Sequence, residues 1–255
     1  TFGSKVKPVS VVELKKHLES TFFQKEEARG QHSVLDTPWK SVIERFSQPE
    51  DVLERLNSIC THEEVDILDE GCGSSFTIFQ AIEDAEAKGS PKINGFGITA
   101  SQAFLNRGVE SEALKQQFLE KVTNEEEKER QKLLMEGVTQ DEEMGLHRKT
   151  QKGSLIRIEK QDLHFLRQAF PGQKFDLIYS STTYSHLTLP WMVFAESCDA
   201  LKTGGMLLID AVPLRGLIGK EGNAISPSEY QKFLEEHNPG YKFHFTNSKN
   251  DPFNI

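Results

Sequence analysis

From residue 65 onward, short apolar runs alternate with amphipathic stretches of helical period. "VDILDEGCGSSF" (65–76) opens the series: Val65–Asp69 is a brief apolar run that predicts a buried strand. Ser74 to Lys88 predicts a helix, with Phe76, Phe79, Ala81 and Ile82 on its buried face and Gly89-Ser90-Pro91 as its stop. Further strands are predicted at "KINGFGIT" (92–99), "SLIRIEK" (154–160), "KFDLIYSS" (174–181), "GMLLIDAV" (205–212) and "YKFHFT" (241–246). "LPWMVFAESCDALKTGG" predicts a helix begun at Pro190 and stopped by Gly204-Gly205. Ser226, Pro227 and Glu229 form the capping pattern of a last helix. This alternation predicts an α/β fold whose mostly parallel sheet is covered by helices on both faces. Ligands of such sheets sit at the carboxyl ends of the strands.

Residues 1–64 read as a helical extension. Val12, Leu14, Leu18, Phe22 and Phe23 fall at mostly helical spacing, and helices are also predicted from Pro38 and from Pro49. Residues 106–153 break the strand–helix rhythm. They predict a long charged helix, with Glu126 and Arg130 one turn apart, followed by a flexible loop near "VTQDEEMGLHRKTQKG". A solvated helix and a lid or partner-binding insertion are both open readings. The chain starts at Thr1, and "NSKNDPFNI" is too short to show a second closing strand, so a missing start and a truncated end are also open.

The 255 residues carry a formal net charge of −9, which speaks against general nucleic-acid binding. Cys60, Cys72 and Cys198 are few and far apart, with no zinc-ligand spacing, so no metal site is expected. They suit a reducing compartment. No apolar run approaches the length of a membrane span, and a cytoplasmic location is the expectation.

The chemistry centres on Asp69-Glu70-Gly71-Cys72-Gly73. Glycines let the chain turn sharply and let a ligand approach without a Cβ in the way. The helix beginning at Ser74 or Ser75 would aim free N–H groups at the same spot. A plain strand-to-helix turn is the alternative. The dinucleotide fingerprint fails twice, because Phe76 stands where its third glycine belongs and Gly97 where its acidic residue belongs.

"LDEGCGSS" resembles the first motif of the class I S-adenosylmethionine-dependent methyltransferases, at Asp69, Gly71 and Gly73. "EKQDLHFL" is similar to the family's adenine-binding stretch, "FDLIYSS" to its fourth-strand motif, and "ALKTGGMLLI" to the element entering its fifth strand. The resemblance covers residues 65 to 212. It implies a Rossmann-like sheet and S-adenosylmethionine as cofactor. It also implies a backbone cradle at Gly71, Cys72 and Gly73, with Asp69 organising the amino end. Asp162 would accept from the adenine amino group, Leu163 would pack on the ring, and Ser180 would stand at the strand end facing the methyl group. Position 75 is Ser where many members have a third glycine. Gly97 replaces the acidic ribose ligand, so Thr99 and Gln102 are expected to contact the cofactor as neutral groups.

His186 is the candidate general base, because its unperturbed pKa lies near neutrality, and Tyr184 is the second candidate. Helix starting or packing is the plainer role for both. The expected activity is methyl transfer to a small-molecule oxygen or nitrogen acceptor, with residues 1–64 as a cap and no membrane partner. The other reading is a non-catalytic methyltransferase-fold scaffold that uses the charged insertion.

Overall fold

The structure, a computed structural model, describes residues 39–44, 49–59, 61, 63–73, 75–89, 92–100, 138–141, 145–150, 152–181, 183–184, 187, 190–209, 227–237 and 240–242, with isolated helical positions between 120 and 132. The elements are α1 (Trp39–Glu44), α2 (Pro49–Ile59), β1 (Glu64–Glu70), α3 (Phe76–Ala87), β2 (Lys92–Thr99), β3 (Val138–Asp141), β4 (Gly145–Lys149) and β5 (Leu155–Lys160). After a 3-10 turn at Leu163–Phe165 come α4 (Leu166–Ala169), β6 (Phe175–Ser180), α5 (Pro190–Ala200), β7 (Leu201–Ile209) and α6 (Pro227–His237).

Seven strands form one sheet in the order β3-β4-β5-β2-β1-β6-β7. The five from β5 to β7 in that order run parallel, and β3–β4 is an antiparallel hairpin added on the outer side of β5. The expected α/β, Rossmann-like architecture is therefore present. Successive strand residues feed opposite faces, as full burial of a parallel sheet demands. Ile67 and Leu177 join Trp39, Val42, Ile59, Ile78 and Ile82 in one core. Leu68 and Ile178 join Phe96, Leu166, Phe170, Phe175 and Val193 in the other. The α1 and α2 helices thus pack on the sheet beside α3. Trp39 stacks at 5.1 Å on Tyr179 of β6, and its N–H donates to Gln80 at 3.0 Å.

Two expectations are corrected. The loop expected near residues 138–153 contains the β3–β4 hairpin. Its inward residues are His147 and Arg148, both buried, and the Arg148 guanidinium lies 3.7 Å over the Phe79 ring. The turn after β4 is clamped to the end of α3: Thr150 Oγ1 donates to Glu86 at 2.9 Å, and Ser154 Oγ donates to the same carboxylate. The helix expected to run to Gly204 ends at Ala200, and β7 already begins at Leu201. The two glycines serve an irregular strand instead, since a Cβ on Gly205 would stand 3.0 Å from the carbonyls of Phe175 and Asp176. The strand expected at 92–99 is β2 with those bounds, and Gly97 is an interior residue of it. The predicted helix around Val12 to Phe23, the Glu126–Arg130 pair and all of the strand at 241–246 except Tyr241 and Lys242 lie outside the described residues.

Candidate functional site at the carboxyl ends of the strands

The turn after β1 has left-handed backbone at Gly71 (φ 81), Gly73 (φ 54) and Ser75 (φ 68). Ser75 therefore holds a conformation suited to glycine, at the position where the resemblance expects one. Its hydroxyl is buried with no hydrogen-bond partner. Gly71 is required by close approach as well. A Cβ there would come within 2.7 Å of Thr183 Cγ2, because the loop after β6 folds over it.

Two of the loop amides are already used. Gly71 N–H donates to the Ile98 carbonyl at 2.9 Å and Cys72 N–H to the same oxygen at 3.0 Å. The Cys72 side chain fills the space over Gly97, where a Cβ would stand 2.7 Å from its Sγ. A carboxylate at position 97 is thus excluded by packing. Thr99, at the end of β2, is buried, and its carbonyl accepts from Gln161 N–H at 3.0 Å.

Asp69 is buried beside β6 and accepts from Tyr179 Oη at 2.7 Å. Its neighbour Glu70 is fully buried between Tyr184, whose hydroxyl donates at 3.0 Å, and Ser197 of α5. Burial, only partly opposed by these hydroxyls, raises the Glu70 pKa from 4.5 to about 7. Burial and the nearby Glu70 likewise push the Tyr184 hydroxyl well above 10. Ser180 Oγ donates to the Glu70 carbonyl at 3.1 Å.

Asp162 caps the 3-10 turn. One carboxylate oxygen, Oδ1, accepts from His164 N at 2.9 Å and faces His164 Nδ1 at 2.5 Å. The other, Oδ2, is buried and has no partner. Leu163 is buried among Leu68, Phe96 and Phe170.

The residues expected from sequence and described here therefore gather at the carboxyl ends of β1, β2, β5 and β6. Ser180 and Tyr184 face β1 through their hydroxyls. Gln102 and His186 lie outside the described residues. Sequence reasoning passed over Glu70, Thr183, His164 and Ser197. Glu70 carried a usable signal: an acid at the last position of a strand buried on both faces. Among the described residues no cluster of three His, Cys, Asp or Glu could hold a metal, and no helix is long and apolar enough to cross a membrane.

Residues 126–209 match the model of a family described as a methyltransferase domain. The match takes in Asp162, β6 and β7 and leaves out the glycine turn. No curated protein matches the chain. Similar solved structures include YjhP from E. coli, at 17% identity over 63% of this chain and 48% of that one, with a TM-score of 0.34. A SAM-dependent methyltransferase from Geobacter sulfurreducens, solved with S-adenosyl-L-homocysteine, is 16% identical over 62% of this chain and 47% of that one, with a TM-score of 0.32. One from Thiobacillus denitrificans, solved with the same molecule, is 15% identical over 69% and 56%, with a TM-score of 0.35. This chain spans about half the length of the solved structures it resembles.

Proposed function

We propose that this chain is a class I, Rossmann-like methyltransferase that uses S-adenosylmethionine to methylate an oxygen or nitrogen of a small molecule, a reading supported by its sheet and by the family match over residues 126–209. The observation that carries this reading is Asp162 Oδ2. An unpartnered buried carboxylate oxygen is costly, and a ligand amino group removes the cost. The adenine amino group is such a donor. His164 holds the other oxygen and so orients the free one.

When bound, the cofactor supplies an electrophilic methyl group on a sulfonium. Asp69 sits where it can face the ligand's amino end, beside the turn. Gly73 has left-handed backbone and, among the described residues, no bond to its amide, which leaves that N–H for the ligand carboxylate. Thr99, with Gln102 after it, is assigned to the ribose as a neutral contact. That contact is weaker than the charge-assisted one a carboxylate gives. Tyr184 is assigned a positioning role, because its hydroxyl is held by Glu70 and Ser197. His186 remains the group assigned to take a proton from the acceptor on a ring nitrogen.

A second reading, a non-catalytic scaffold, draws support from the two loop amides already bonded to Ile98 and from Cys72 filling the space over Gly97. Calorimetric titration with S-adenosylhomocysteine separates the two. The enzyme reading expects a Kd of about micromolar order. It also expects at least roughly tenfold weaker binding of the analogue whose 6-amino group is a carbonyl, and of the natural ligand by Asp162→Ala. No binding at about millimolar ligand overturns it and leaves the scaffold.

A further inference from the structure

The oxygen contacts around Glu70 favour its neutral acid form. Ser197 Oγ lies against Glu70 Oε1, 2.7 Å from the Val193 carbonyl and 3.2 Å from Tyr184 Oη. Tyr184 has one hydroxyl proton, directed to Glu70 Oε2. Ser197 also has one. If Glu70 were a carboxylate, that proton could serve either Glu70 or Val193, and the other close oxygen pair would hold no hydrogen. If Glu70 is the neutral acid, the three closest contacts each hold a hydrogen: Glu70 donates to Ser197, Ser197 to Val193 and Tyr184 to Glu70, and only the 3.2 Å Tyr184–Ser197 pair lacks one. No cation stands against Glu70 among the described residues.

The three groups come from three elements. Glu70 ends β1 next to the glycine turn, Tyr184 lies in the segment after β6, and Ser197 lies on α5. We infer that Glu70 is a positioning residue: as the neutral acid it ties the segment after β6 to β1 and α5, and its ionisation loosens that segment. Thr183, next to Tyr184, is the residue packed over Gly71, so loosening reaches the turn directly. The titratable groups facing Glu70 are Tyr184 and Cys198. Burial, with Glu70 adding to it, pushes the Cys198 thiol to about 12, and Tyr184 is raised well above 10. Both stay neutral while Glu70, at about 7, loses its proton. The inference rests on the fold and not on the cofactor reading.

The test is hydrogen exchange at the Thr183 and Tyr184 amides, read site by site in the full, ligand-free chain and corrected for intrinsic pH dependence. In the wild type, exchange should rise on the order of tenfold between about pH 5.5 and 8.5. Glu70→Gln, which keeps a donor and an acceptor, should stay at the slow level throughout, whereas Glu70→Ala should be fast at both pH values. A wild type without pH dependence, or a Glu70→Gln variant as fast as Glu70→Ala, overturns the inference. Infrared spectroscopy of the wild type gives a second measure that needs no variant. A buried carboxylic-acid band should fade with a midpoint near 7, and its absence at low pH is equally decisive against the inference. S-adenosylhomocysteine binding, measured separately, can fail while both of these results hold, so the two proposals fall independently.

Discussion

Strand β1 carries a buried acid near each end, and the fold treats them oppositely. Near its amino end, Asp66 accepts from Lys202 Nζ at 2.7 Å and from Asn94 at 2.8 Å, and its own N–H donates to Asp176 at 2.9 Å. Burial lowers the Lys202 pKa, but the Asp176 and Asp66 carboxylates outweigh it and the net shift is upward. At the carboxyl end the Glu70 carboxyl group is hydrogen-bonded, among the described residues, by hydroxyls and by no cation. Asp162 keeps an unpartnered oxygen there and Ser75 an unpartnered hydroxyl on a left-handed backbone. The amino end is satisfied and the carboxyl end is not. Along β1, local rules are broken at the end where function is expected and met at the other.

Substitutions should therefore have opposite signs at the two ends. The largest effect belongs to Lys202→Met, which leaves Asp66 and Asp176 facing each other without a cation. Discounting for the partial exposure of the lysine, it should cost about 2–3 kcal/mol in urea unfolding, and Asp66→Asn in the same chain should recover part of that loss. Recovery of nothing would mean that the amino-end network contributes little.

Next comes Glu70→Gln, with the sign reversed. The folded pKa is raised, so the folded state binds the proton more tightly than the unfolded chain. Wild-type stability should fall as pH rises from about 4.5 to about 7 and show no further change from this group above that. The variant lacks this slope. It should equal the wild type near pH 4.5 and exceed it at pH 8.5 by about 1–3 kcal/mol, seen as a shift in the urea midpoint. Equal midpoints at both pH values would make the two ends of β1 alike. The smallest effect is at Ser75→Gly. Relief of the left-handed backbone should stabilise the chain by roughly 1 kcal/mol in thermal unfolding. A loss there would show that the serine hydroxyl has a role the ligand-free fold already uses.

Much of the sheet was legible because its strands are continuous apolar runs. "VDILD", "INGFGI" and "FDLIY" could be buried on two faces only as parallel strands. The β3–β4 hairpin was hidden because its buried positions are His147 and Arg148, which read as solvated until Phe79 is placed beneath the guanidinium. The overshoot of α5 has a similar origin. Leu201 and Lys202 continue a helical pattern, and only the pairing of Leu201 with Phe175 of β6 starts the strand there. At the site, the glycine turn could be read from its own residues, whereas Asp162 was singled out only through the family resemblance. Glu70 could not be assigned, because its partners lie 114 and 127 residues away in the chain. Gly97 looked like a missing ligand, but the space beside it belongs to Cys72.

That last contact also constrains how this sequence can drift. Gly97 and Cys72 share one volume, so neither position is free to evolve alone. A variant that gains a side chain at 97 must first have shortened residue 72, and one that enlarges residue 72 must keep glycine at 97. The order of those two steps is dictated by sterics, and any route to a carboxylate at 97 passes through the cysteine.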